Sequence, residues 1–159
     1  MHGMRRELKA LLDGGQAHVG LEEATKGFPA RLRGKVVEEL PYSAWQIVEH
    51  IRIAQRDILN YCRNHDGSYK ERKWPEDYWP KESAPPSATA WGESLKRIKV
   101  DRRELETLLK ESDSEGLVAA FPWGKGQTLL REVLLVADHA AYHLGELVVL
   151  RRLLGCWKS

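Results

Sequence analysis

Two histidines and a glutamate occur at helical spacing in the stretch VADHAAYHLGELVVLRR, residues 136–152. His143 follows His139 by four residues, and Glu146 follows His143 by three. At about 100° per residue the histidines lie about 40° apart, and Glu146 lies about 20° to the other side of His139. The three therefore share one strip of a helix, with apolar residues on both flanks. Such a histidine pair brings two imidazole nitrogens within reach of one cation.

His50 is the candidate third ligand, because it lies one step from the apolar stripe Ile47–Ile51–Ala54–Ile58 and can face the same interior. Three neutral imidazoles leave one coordination position open for water or substrate, as in catalytic metal sites. Zinc, nickel and iron(II) all accept such ligands. We expect zinc or nickel first, and iron as a further option.

The carboxylates near these histidines leave several roles open. Glu146 can be a fourth ligand, a hydrogen-bond partner that orients a ligand, or a general base acting on bound water. Asp57, two turns after His50, can orient or bind. The alternative to a metal is a set of buried histidines satisfied by hydrogen bonds. Burying three of them with a carboxylate is costly without a cation or a dense polar network, which favours the metal.

The elements that carry these residues are predicted to be helices. Residues 4–27 read either as two short helices or as one helix interrupted at Gly14-Gly15. A second helix begins after Ser43, where Gln46 completes a capping box, and ends near 63–68. A third covers roughly 88–112 and a fourth roughly 127–154, stopped by Gly155. The fourth is apolar nearly all round, so it is predicted to be the most buried element. With no convincing strand, the pattern predicts an all-α four-helix bundle, one domain over residues 1–159.

Two loops carry notable motifs. Residues 64–90 hold four of the seven prolines and two of the six tryptophans. The apolar area of Trp74, Tyr78 and Trp79 predicts an ordered loop that packs on the bundle and shapes a pocket. The turn FPWGKGQT, residues 121–128, lacks the spacing of a phosphate loop and follows no strand, so a nucleotide site is not expected.

Composition limits the class of partner. The 159 residues carry a net charge of +2 with basic and acidic residues interleaved, so nucleic acid is not an expected partner. Charged residues and histidines interrupt the apolar stretch 129–150, so no membrane association is expected. Two cysteines form no CxxC pair, and the N-terminus has no apolar signal region. Both features favour a cytoplasmic protein with reduced thiols.

The order of these motifs resembles one family. WQIVEHIRIAQRDIL followed far downstream by LLVADHAAYHLGELVVLRRLLG is similar to the DinB/YfiT-like metalloenzyme superfamily, and the resemblance extends over most of residues 16–157. It implies a four-helix bundle with up-down-down-up connectivity and a divalent metal held by a histidine triad, here His50, His139 and His143. It also implies a homodimer formed through bundle helices. Relatives often carry Gln after H-x-G where this chain has Glu146, which places an additional charge at the cavity.

The resemblance and the residues together give two main functional hypotheses. The first is a metal-dependent transferase or hydrolase acting on a small molecule, since some relatives transfer low-molecular-weight thiols to electrophiles. A bound cation would lower the pKa of water or of a substrate thiol. The second is a non-catalytic metal-binding or stress-related bundle. A helical protein-interaction module, suggested by the charged third helix, is weaker because such faces are usually only solvated.

Overall fold

The helix that carries His50 begins at the capping box that the sequence predicts. In the computed structural model, which describes residues 2–157 apart from the side chain of His2, this helix runs over Ala44–Cys62 and is named α3. Ser43 Oγ accepts a hydrogen bond from the backbone N–H of Gln46, and Gln46 Oε1 accepts one from the backbone N–H of Ser43. Two otherwise unpaired donors of the first turn are thereby satisfied, which fixes the register of the helix.

The described chain contains five other α-helices. The N-terminal segment forms two helices, α1 (His2–Asp13) and α2 (Leu21–Thr25), because Gly14 and Gly15 both adopt positive φ angles, of 71° and 75°. The remaining helices are α4 (Ala90–Glu111), α5 (Ser114–Val118) and α6 (Leu129–Leu153), and residues 30–32 form a 3₁₀ turn. Between residues 2 and 157 there is no strand, so the all-helical prediction is confirmed. The sequence reading of four segments missed the short α5.

The four long helices are α1, α3, α4 and α6. They pack in a ring in which α3 contacts both α4 and α6, and α1 contacts the same two helices. One apolar cluster joins the first half of α3 to the second half of α6, through residues such as Ile47, Ile51 and Leu147. A second cluster joins the other halves, with Leu59 near Val133. Burial of these side chains holds α3 against α6 along their length and so positions the histidines that face one another.

Helix α6 is less buried than the sequence predicts. Although one face fills both clusters, five large apolar side chains on the helix are exposed: Leu134, Leu135, Tyr142, Val149 and Leu153. A bundle helix packs only one stripe against its neighbours, so apolar residues all round cannot all be covered within one chain. By length and composition alone α6 would also be able to cross a membrane, a test that the core helix of a bundle passes equally.

Candidate metal centre

Three histidines from two helices meet at one point of the bundle. His50 comes from α3, and His139 and His143 lie one turn apart on α6. One ring nitrogen of each lies within 4.8 Å of one in both others. The Nε2 atoms of His50 and His139 are 2.9 Å apart. Two imidazoles on one tetrahedral ion have their nitrogens about 3.3 Å apart, so this pair needs a shift of only a few tenths of an ångström to share a metal.

The protonated nitrogen of two of these rings is set by its partner. His50 Nδ1 lies 3.0 Å from the backbone oxygen of Tyr78, and His143 Nδ1 lies 2.6 Å from Glu146 Oε2. A carbonyl oxygen and an ionised carboxylate only accept, so each Nδ1 donates its proton. The lone pair of each ring is therefore on Nε2. Metal-binding histidines are commonly held in this way by a second hydrogen bond.

Burial keeps His50 and His139 uncharged near neutral pH. The side chain of His50 is 1 % exposed and that of His143 is 7 % exposed, whereas His139 is half-buried. Desolvation, with the neighbouring His143 as a smaller cause, lowers the pKa of His50 from 6.5 to about 4. The same causes, together with the charge of His50, lower the pKa of His139 to about 3. Protons therefore compete little with a cation for these lone pairs at pH 7.

A loop segment that we call the strap, residues 78–84, covers this site. It follows one face of α3: Ser43 Oγ donates to the backbone oxygen of Ser83, Gln46 Nε2 to that of Pro80 at 3.1 Å, and His50 to that of Tyr78. The contacts on α3 thus recur at residues 43, 46 and 50, which share one side of a helix. The strap fixes the first half of α3 and one ring of the histidine cluster together.

Trp79 of the strap forms the wall of the site. Its indole stacks on the His50 ring with centroids 3.8 Å apart and planes within 6°, and Tyr42 stacks on the indole at 3.8 Å. This three-ring stack excludes water from one face of His50. Sequence reasoning assigned Trp79 only a general pocket-shaping role and missed the Tyr78 carbonyl. The aromatic and proline content of WPEDYWP was the available signal.

Asp57 lies outside the histidine cluster. Its carboxylate is buried and accepts hydrogen bonds from Tyr78 Oη at 2.6 Å and Tyr69 Oη at 3.2 Å. Burial, followed by the interactions with Asp57, raises the pKa of both tyrosines above the usual 10, so both hydroxyls stay protonated as donors. The same residues line a cavity of about 670 Å³ that reaches Leu135, one turn before His139 on α6.

The other reactive side chains lie elsewhere. His18 is exposed and lines a separate cavity of about 350 Å³, and His65 contacts the edge of Trp123. Cys62 is buried, and desolvation raises the pKa of its thiol to about 12, so it is not a nucleophile at neutral pH. The side chain of His2 lies outside the described residues.

A helical bundle with three converging imidazoles defines a class of candidate metal-binding proteins. A family model described as the DinB superfamily matches residues 15–147, and the chain belongs to that superfamily. The matched range contains His50, His139, His143 and Glu146, so the match to the family model covers all four of these site residues. No significant match was found among curated proteins or among solved structures.

Proposed function

We propose that the protein binds one divalent metal ion through His50, His139 and His143 and uses it as a metal-dependent transferase or hydrolase on a small molecule. The convergence of three ring nitrogens within 4.8 Å carries the proposal, and the fixed Nδ1 protons of two rings support it. Zinc or nickel fits a neutral nitrogen donor set best, and iron(II) is also compatible. Bound there, the ion would supply a Lewis acid that acidifies a coordinated water or thiol.

The chain's own residues prepare the site for this role. Glu146 Oε2 accepts a hydrogen bond from Nδ1 of His143, on the side of the ring away from the Nε2 lone pair that would bind the metal. This position favours a role in orienting His143 over that of a fourth ligand. Trp79 shields one face of His50 from water. His139 is only half-buried, so its side of the site is the one from which a small molecule, such as a low-molecular-weight thiol, would approach.

The main alternative is a metal that only stabilises the fold. The near-complete burial of His50 and His143 favours it, since little of the site faces solvent. The two functions differ in whether a fourth ligand can enter. In the cobalt(II)-loaded protein, a thiolate-to-metal absorption band on addition of mercaptoethanol supports the enzyme, and an unchanged spectrum supports the structural role.

The remaining parts of the proposal concern the whole chain. We propose one DinB-like domain over residues 1–159 in up-down-down-up connectivity, with the Trp/Pro-rich loop ordered between α3 and α4. The two apolar clusters, which join opposite halves of α3 and α6, support antiparallel packing of these helices.

A homodimer through α6 is supported by its exposed apolar residues. We also propose a cytoplasmic location, which the cysteine usage supports and cell fractionation tests.

Metal content tests the site. The tag-free protein, stripped with a chelator and reloaded with zinc, is expected to bind about one ion per chain. Its thermal stability should rise with zinc, by about 2.7 kcal/mol when free zinc is a hundred times the Kd. His139→Ala should abolish both effects. His65→Ala, which removes a histidine outside the cluster, is the matched control and should change neither. A wild-type protein that binds no zinc, or an unchanged His139→Ala variant, contradicts the proposal.

A further inference from the structure

A buried carboxylate is anchored two helical turns from His50 on α3. Asp57 is 7 % exposed, and its Oδ2 atom accepts hydrogen bonds from Tyr78 and Tyr69. Arg72 Nε lies 3.6 Å from Oδ1. A carboxylate with this many donors is held in one orientation, and each donor is in turn held by it. Nothing in the metal site itself requires this arrangement, since Asp57 is not among the converging ligand atoms.

Tyr78 connects this carboxylate to the histidine cluster. Its hydroxyl donates to Asp57 at 2.6 Å, and its backbone oxygen accepts from His50 Nδ1 at 3.0 Å. The next residue, Trp79, stacks on the His50 ring. Two consecutive strap residues therefore hold an edge and a face of the same imidazole. The side chain of Tyr78 reaches along α3 to Asp57, so the strap is attached at both ends of the interval between His50 and Asp57.

We propose that Asp57 is a positioning residue for the ligand His50 and acts through Tyr78. The inference rests on the proposed metal site. With the Tyr78 hydroxyl fixed, the carbonyl of the same residue keeps the proton of His50 on Nδ1 and its lone pair on Nε2, facing the other two histidines. When the hydroxyl is released, the carbonyl and the indole lose their fixed distance from His50, and the ring must be ordered when the metal binds. That ordering lowers the affinity for metal.

The chain offers a matched pair of variants for the test. Tyr78→Phe and Tyr69→Phe each remove one hydroxyl from the same carboxylate oxygen, but of the two tyrosines only Tyr78 also holds His50 through its backbone oxygen. The Kd for zinc is measured by competition with a chromophoric chelator. We expect about tenfold weaker binding for Tyr78→Phe, at the lower end of what partners of metal ligands contribute. Tyr69→Phe should stay within about twofold of wild type.

Two further measurements distinguish positioning from general destabilisation. Asp57→Asn should also bind zinc about tenfold more weakly, and the double variant with Tyr78→Phe should be no weaker than either single one, because both break one pathway. In nitrogen NMR spectra of the zinc-free protein, His50 should keep its Nδ1 proton in wild type and in Tyr69→Phe, and lose this preference in Tyr78→Phe.

The outcomes separate the two proposals. Failure of the wild-type protein to bind zinc overturns the metal site itself, and the positioning role with it. When wild type binds zinc, a folded Tyr78→Phe protein with unchanged affinity overturns the role of Asp57 alone. Equal weakening by Tyr69→Phe and Tyr78→Phe overturns it too, since a purely structural role makes the two hydroxyls equivalent. Each tyrosine variant removes a single hydroxyl, so the comparison does not depend on Asp57→Asn folding.

Discussion

Glu146 accepts a hydrogen bond from His143 across 2.6 Å, one turn away on α6. Its carboxylate is half-buried, so the bond is partly shielded from water. Replacement by Gln keeps an acceptor oxygen in place but removes the charge. We therefore expect Glu146→Gln to weaken zinc binding by about tenfold or less. Chelator competition measures the change.

Comparison with His139→Ala, which removes a proposed ligand, shows whether Glu146 is itself a ligand. If Glu146 is a fourth ligand, Glu146→Gln should lose as much affinity as His139→Ala. If it positions His143, its loss should stay well below that of His139→Ala. Glu146→Ala, which removes the acceptor altogether, should fall between the two. A loss in Glu146→Gln equal to that of His139→Ala contradicts the positioning role.

Residue types and spacing were enough to predict from the sequence that the three histidines lie close together. The four-residue interval fixes His139 and His143 on one strip, and the stripe beside His50 turns it inward. The partners of these rings were less accessible. Glu146 was seen but its role stayed open, because helical spacing does not distinguish a ligand from a hydrogen-bond partner. The Tyr78 carbonyl has no signature in the sequence, since every residue carries one.

At the scale of the elements, the strap packs closely against the loop that contains Gly34. A Cβ atom built on Gly34 would lie 2.6 Å from Ala84 Cβ and 2.8 Å from its Cα, so backbone must move to admit it. Ala84 ends the strap. We expect Gly34→Ala to push the strap away from α3 and to lower the free energy of unfolding by about 1–3 kcal/mol. Denaturant unfolding measures this, and tryptophan fluorescence should report greater exposure of Trp79.

A second glycine serves as the control for that variant. Gly92 lies in α4, and a Cβ atom there would meet nothing within 4 Å. Gly92→Ala should leave stability unchanged or raise it by up to about 1 kcal/mol, because alanine favours the helix. A Gly34→Ala variant as stable as Gly92→Ala would show that the strap yields without cost, against the expectation.

The elements themselves were predicted unevenly, for physical reasons. The capping box at Ser43 and the N-cap at Thr128 are local, so α3 and α6 begin within two residues of their predicted starts. Helix α5 has five residues, too few for a periodic pattern to appear. The strap is held by hydrogen bonds from α3 across more than 25 residues of sequence, which depend on tertiary packing.

For the molecule as a whole, the error about the burial of α6 is informative. Leu135, Tyr142 and Val149 are all exposed, Tyr142 by 66 %, and they recur at intervals of seven residues. Residues seven apart share one side of a helix, so these three form a single exposed apolar seam. The sequence predicts an apolar helix but does not indicate which side faces its own chain. The exposed seam therefore fits a second copy of α6 packed across a two-fold axis.

A charge placed in this seam tests the homodimer. Val149 is exposed in the single chain, so Val149→Lys should leave the fold intact and place a charge in the apolar interface of a dimer. We expect wild type to sediment as a dimer and Val149→Lys to sediment as a monomer with unchanged thermal stability of the bundle. Thr107→Lys, on the exposed face of α4, is the control and should stay dimeric. A monomeric wild type excludes the interface, and a dimeric Val149→Lys variant places it on another surface.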